Sequence, residues 1–358
     1  MYAFFATIPS PHNVILLNAL NELLKGNFIV YFFGKEAKKR KHWSKYLSKA
    51  NFEYRILKTH SFNINHVSDP AYFFVPLELP ELQRFKSIIV GGGISPVAVS
   101  IIMKAISKKI PYILWSGAVS LKGGYPFLVP IRYIARKLIF SRAKAVVATN
   151  TLAAEHASKM GAKRTSIAYT SFDIHRFDYD RKHRGENLKI LNIGRIIKRK
   201  RLKDLLRALY LIGDTYDWSL DIVGDGPEKP EIEKEIKRLS LDDRVKLLPP
   251  VSYEEVPEIY KKYNLFVLPS ENEVHGFVVM EALMSSVPVI VTNEVGARDF
   301  VIPEAIYPVG DIEELKKRIE WMRNPENRNR AVRYGKELIK SKATPEKWAE
   351  VFYKILIS

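Results

Sequence analysis

The sequence predicts an α/β protein made of two doubly wound, parallel-sheet domains, and three observations lead there. At 358 residues the chain is long for a single core. Short apolar runs alternate with amphipathic segments from end to end, the pattern of βα crossovers. A polar, charged stretch, FDYDRKHRGENL from Phe177 to Leu188, interrupts that alternation and reads as a junction.

In the first half the apolar runs predict strands at Tyr2 to Thr7, Phe28 to Phe33, Phe52 to Leu57, Ser87 to Val90, Tyr112 to Trp115, Ala145 to Ala148 and Ser166 to Tyr169, with helices between most of them. In the second half LKILNIG, WSLDIVG, RVKLLPP, LFVLPS and VPVIVTN are strands, and RLKDLLRALYLIG and KPEIEKEIKRLS are helices between them. TPEKWAEVFYKIL is a closing amphipathic helix with Thr344 as N-cap and Pro345 at its first position. The expected division is 1–180, then 181–342, with 343–358 crossing back to the first domain. Ligands in such an architecture sit where the carboxyl edges of the strands face a cleft.

A hydrophobic content of 47% supplies two cores, and the absence of cysteine excludes disulfides and thiolate metal sites. The opening MYAFFATIPS has no cationic segment and no small-residue cleavage site, so it reads as a buried strand rather than a signal peptide. The longer uncharged runs are broken by Pro9 and Pro11, or by Gly91 to Gly93 and Pro96, and neither makes a spanning helix. Of the net charge of +18, residues 1 to 170 carry +17, from 24 Lys and Arg against 7 Asp and Glu. That asymmetry fits an anionic partner for the first half: a membrane surface, a phosphorylated substrate or nucleic acid. A merely solubilising lysine-rich surface is the competing reading.

The chemistry concentrates in the second half. Leu265 to Ser270 is a strand, and FVVMEALM starts a helix around Gly276, so the N–H groups of Gly276, Phe277 and Val278 form a positive terminus suited to phosphate. Glu281 lies more than a turn inside, and helical side chains lean back toward the amino end, which lets its carboxylate accept from hydroxyls beside that phosphate. Glu273 precedes the helix. In NIGRIIKRKRLKDLL the strand ends at Gly194, and Arg195 and Lys200 follow in a loop at the same sheet edge. A planar fork with a flexible ammonium suits a diphosphate leaving group. Lys198, Arg199 and Arg201 read as solvated basic residues.

Taken together, Gly194-Arg195 with Lys200, then DIVGDGP, then VKLLPPVSYEEVPEIYKKYNLFVLPS, then Glu273 and Glu281 with seven residues between them, resemble the donor half of glycosyltransferase family 4, the retaining GT-B enzymes. The resemblance is close over residues 186 to 310 and covers the rest in outline. It implies a GT-B fold of two Rossmann-like domains and a retaining, metal-independent hexosyltransferase, cytoplasmic or peripheral on the cytoplasmic membrane face. No cofactor is implied beyond a nucleotide-diphosphate sugar as donor. Carried over by position, Arg195 and Lys200 hold the diphosphate, Glu281 the ribose hydroxyls and Glu273 the transferred sugar. Pro250 and Val251, within Pro249 to Ser252, border the base, and Gly224 the nucleotide's edge. The implied acceptor is lipid-linked or otherwise anionic. A nucleic-acid-binding or DNA-modifying transferase, and a GT-B protein that only binds, are the alternatives.

The sequence also departs from that family. IPSPHNV, Ile8 to Val14, stands where a glycine pair is common, and LWSGAVS where a histidine often follows a strand, leaving His12 or His275 as substitutes. Pro249 and Ser286 stand where glycines are usual. Gly91 to Ser95 is either a cleft element or a plain turn. Pro126 to Phe140 and Lys35 to Lys49 either lie on an anionic membrane or form helices whose charges reach water. Asp178-Tyr179-Asp180 has the D-x-D form of metal-dependent transferases, but its place in the junction marks it as coincidence.

Overall fold

A computed structural model describes residues 1–35, 43–63, 72–91, 95–117 and 129–358. Residues 92–94 of Gly91 to Ser95, 36–42 of Lys35 to Lys49 and 126–128 of Pro126 to Phe140 lie outside them. The described chain divides into two compact units, Met1–Phe172 with Lys342–Ser358, and Asp173–Ser341.

The first unit contains β1 (Tyr2–Ala6), α1 (Pro11–Leu24), β2 (Phe28–Phe32), β3 (Glu53–Ile56), β4 (Thr59–Asn63), β5 (Tyr72–Pro76), β6 (Ser87–Val90), α2 (Pro96–Ser107), β7 (Tyr112–Ser116), α3 (Val129–Arg142), β8 (Ala145–Ala148), α4 (Thr151–Lys159) and β9 (Thr165–Ile167). Seven strands form one parallel sheet in the order β3-β2-β1-β6-β7-β8-β9, while β4 and β5 pair antiparallel as a separate ribbon. Strand side chains alternate between faces, so Ala3 and Phe5 enter one core cluster and Phe4 and Ala6 the other. The closing helix covers the second face. Its Trp348 and Phe352 stand 4.4 Å apart and tile against Phe4 and Trp115. Each such buried aromatic contributes roughly 2–3 kcal/mol. Thr344 Oγ1 accepts from the Lys347 N–H at 3.3 Å and fixes that helix's start.

The second unit contains β10 (Leu188–Ile193), α5 (Leu202–Ile212), β11 (Trp218–Val223), α6 (Lys229–Arg238), β12 (Val245–Leu248), α7 (Val256–Tyr260), β13 (Leu265–Leu268), α8 (Phe277–Met284), β14 (Val289–Thr292), β15 (Ile306–Tyr307), α9 (Ile312–Trp321) and α10 (Pro325–Lys342); the closing helix of the first unit is α11 (Pro345–Ile357). Its six strands are all parallel, in the order β12-β11-β10-β13-β14-β15. Chain order therefore reverses between β10 and β13, and the carboxyl ends of the strands at such a switch point are the place where this fold receives ligands.

Among the described residues no helix is long and apolar enough to cross a membrane.

Candidate active site

The loop leaving β10 is shaped by the loop beside it. Gly224, after β11, has φ +149°, and a Cβ there would lie 1.9 Å from the Gly194 carbonyl oxygen. Only a glycine allows the two turns to press together. Gly194 itself has φ +142° and is exposed with Arg195, whereas Ile196 and Ile197 turn inward and are buried. The chain then makes a short 3-10 turn, Lys198–Lys200, which exits through Arg201 in the left-handed region at φ +48°. That conformation costs a side-chain-bearing residue about 1–2 kcal/mol. Its guanidinium is held by Asp204 at 2.6 Å and Glu271 at 3.4 Å, which offsets the cost.

Across the switch point the loop after β13 brings the first acid to meet this turn. Glu273 Oε2 accepts from Lys200 Nζ and from Arg199 Nη1, each at 2.7 Å. The Glu271 N–H donates to the Arg199 carbonyl at 2.9 Å, so backbone as well as side chains joins the loops. On the other side Glu273 forms a parallel bridge to Val295, with its N–H on the Glu294 carbonyl and its own carbonyl accepting from Gly296. Burial alone would raise the Glu273 carboxyl; Lys200 and Arg199 outweigh it and hold the group below the usual carboxylate range. The expectation that Arg199 and Arg201 are solvated is corrected here: three acids, Glu273, Asp204 and Glu271, engage them.

Gly276 caps α8 at φ +70°, and a Cβ would come within 3.1 Å of Val295 Cγ1. The Val279 N–H makes the first helical bond, to the Gly276 carbonyl, so Gly276, Phe277 and Val278 bring the helix's amino end directly after Glu273 and His275. The His275 ring stacks on Phe277, and burial lowers its pKa, against the pull of the Glu273 carboxylate.

One helical turn further in, Glu281 is 5% exposed. The Tyr260 hydroxyl donates to the Val278 carbonyl at 3.0 Å and lies 3.3 Å from Glu281 Oε2. Burial, opposed by the hydrogen bond from the Tyr260 hydroxyl and by the charge of Arg176, raises the Glu281 pKa to about 7.

Gly194, Arg195, Lys200, Gly224, Glu273 and Gly276 thus share the carboxyl edge of one parallel sheet. Pro250 and Val251 follow β12 at that edge, Pro250 exposed and Val251 half-buried. His12 belongs to the first unit, in the opening turn of α1 behind its Ser10 cap. Ser286 adopts φ +56° without a glycine; its hydroxyl donates to the Tyr179 carbonyl at 2.5 Å, and its carbonyl stands 2.8 Å from His183 Nε2. Asp178 and Asp180 are taken by cations of α10, Lys340 to Asp178 at 2.8 Å and Lys336 to Asp180 at 2.5 Å. Sequence reasoning missed Arg199 and Tyr260. No local signal marks either, because their partners lie 74 and 21 residues away.

A family model described as glycosyl transferases group 1 matches residues 173–338, the unit just described. That unit belongs to the glycosyl transferases group 1 family. Among curated relatives, the chain is 33% identical over 188 residues to N-acetyl-alpha-D-glucosaminyl L-malate synthase of Bacillus anthracis, covering 48% of this chain and 47% of that protein. It is 30% identical over 125 residues to alpha-monoglucosyldiacylglycerol synthase of Acholeplasma laidlawii, covering 35% of this chain and 31% of the relative. The chain thus spans less than half the length of these relatives. In fold it matches the crystal structure of Anabaena Alr3699/HepE in complex with UDP across 99% of both chains, with a TM-score of 0.71 at 15% identity. The fold class is accordingly α/β of the GT-B kind, with a Rossmann-like sheet in each unit.

Proposed function

We propose that the protein is a retaining, metal-independent glycosyltransferase that moves a sugar from a nucleoside-diphosphate sugar to an anionic or lipid-linked acceptor. The observation that carries this reading is the meeting of Lys200 and Glu273 at 2.7 Å, at the switch point and directly before the amino end of α8. A cation and a carboxylate placed there can hold opposite ends of a donor, diphosphate and sugar.

On this reading Arg195, Lys200 and the N–H groups at Gly276 to Val278 bind the diphosphate, and Glu281 binds the ribose hydroxyls. Gly194, Gly224, Pro250 and Val251 line the nucleotide, and Glu273 receives the sugar. The bond from the anomeric carbon to the diphosphate oxygen breaks while a bond to the acceptor oxygen forms on the same face. The acceptor's proton passes to the departing diphosphate. Neutralising that growing charge is what Lys200 contributes to the rate. The relatives' names support a sugar-transfer reading, and the moieties they join to a sugar in name, L-malate in one and diacylglycerol in the other, differ.

What supports an anionic or membrane-borne acceptor is the first unit. Between Glu81 and Glu155 the sequence has no acid but eleven Lys and Arg. In α3, Ile131 and Ile134 stand 65% and 67% exposed, one turn apart, with Arg132, Arg136 and Lys137 beside them in sequence. The test is a thermal-shift panel of nucleotide-sugars followed by transfer assays, with sedimentation on anionic and neutral liposomes as the second arm. Stabilisation by one donor class, and turnover of it, is expected. Inertness to every nucleotide-sugar overturns the function, and equal sedimentation with both lipids overturns the membrane part.

A further inference from the structure

Two cations share one carboxylate oxygen at this site, and the functional reading uses only one of them. Glu273 Oε2 lies 2.7 Å from both Lys200 Nζ and Arg199 Nη1. The Glu273 side chain is 14% exposed and Lys200 11%, so neither end of that pair is strongly screened by water. Arg199, at 34%, reaches in from the rim.

If a diphosphate occupies the site, Lys200 faces two anions. An ammonium is a point charge that turns toward the larger charge, and a diphosphate carries more than a carboxylate. Glu273 would then stand largely desolvated beside a second anion, a situation that favours protonation or withdrawal. A guanidinium stays charged at every accessible pH and, through its fixed fork, keeps a carboxylate oriented. Arg199 is already in place to do so.

We propose that Arg199 is a positioning residue for donor chemistry, holding Glu273 aimed at the transferred sugar when the diphosphate draws Lys200 away. This rests on the glycosyltransferase reading and adds to it a residue that acts through Glu273 rather than on the substrate. The Arg199 side chain can be changed without unzipping the loops, because the Glu271 N–H bonds the Arg199 backbone carbonyl. Other charged groups about Glu273 are His275 in its own loop, Glu294 beside Asn272, and the Arg201–Glu271 pair. Arg199→Gln leaves all of them in place.

The experiment measures kcat and donor KM across pH for the full-length wild type, Arg199→Gln and Arg199→Lys, with whichever nucleotide-sugar the wild type turns over. In Arg199→Gln the expected kcat falls about 10- to 100-fold, the scale on which groups that orient a site residue act, with a smaller change in donor KM. The acidic limb of the kcat profile moves to higher pH, since removing a cation makes Glu273 easier to protonate. Arg199→Lys restores part of both effects. A purely structural arginine would not move that limb. An active wild type whose Arg199→Gln variant keeps the same kcat and acidic limb overturns the role of Arg199 alone. A wild type inert to every nucleotide-sugar overturns the functional reading and this inference with it.

Discussion

Replacing Glu273 by glutamine separates holding the loops together from carrying out transfer. The substitution keeps shape and removes one charge from a point 2.7 Å from both Lys200 Nζ and Arg199 Nη1. At an effective dielectric of about 20, each contact has a gross attraction of roughly 6 kcal/mol. Desolvation consumes most of it, and burial is the largest influence acting against the ionised form. The cations nevertheless hold the carboxyl below its ordinary range, so the balance favours the pair. For a partly buried pair with one rim partner, the net loss is about 1–3 kcal/mol. Two cations then remain with no carboxylate between them, and a diphosphate no longer competes for Lys200. Glu273→Gln should therefore lower unfolding stability in urea by that amount, yet bind a nucleoside diphosphate about 5- to 10-fold more tightly by calorimetry, the equivalent of about 1 kcal/mol. Sugar transfer should fall about 100-fold or more. Weaker diphosphate binding in the variant, at unchanged stability, would refute the idea that Glu273 and the diphosphate contend for one cation.

Other predictions concern the same edge of the sheet. Gly224→Ala, whose methyl would meet the Gly194 carbonyl at 1.9 Å, should cost more than about 3 kcal/mol in urea unfolding; a loss under 1 kcal/mol would show that the turns are not pressed together. Glu281, with its pKa raised to about 7, keeps its proton in the folded chain over a range where the unfolded chain has lost it. The wild type should therefore lose stability relative to Glu281→Gln as pH rises from the ordinary glutamate value through 7, by on the order of 2–3 kcal/mol, and a pH-independent difference between the two would contradict it. Because ribose hydroxyls need the ionised carboxylate as acceptor, nucleotide affinity should rise several-fold between about pH 6 and 8 in the wild type and stay flat in Glu281→Gln. Equal slopes in titrations of the two proteins would remove Glu281 from the nucleotide site.

Much of the fold was legible because burial leaves a local mark. Strands buried on both faces, such as Leu265–Leu268 and Val289–Thr292, read as unbroken apolar runs, and Gly276 and Thr344 announce the helices that follow them. The ribbon of β4 and β5 was not legible, since Thr59–Asn63 carries no apolar alternation and its partner does not belong to the main sheet. The pair at the heart of the site was foreseen as separate roles and not as a contact. Lys200 and Glu273 are 73 residues apart, and only the strand order, with β10 beside β13, brings them together. Arg199 and Arg201 look alike in the run KRKR, yet one reaches Glu273 and the other bends back to Asp204 in a left-handed conformation. A charge run does not encode which acid each member meets.

The most direct test of the account is calorimetric titration of the intact protein with uridine, guanosine, adenosine and cytidine diphosphates, repeated on Lys200→Ala. The account predicts that at least one nucleotide binds the wild type and that Lys200→Ala weakens it by about 10-fold or more. Binding of the same strength in both proteins, or none to either, would contradict it.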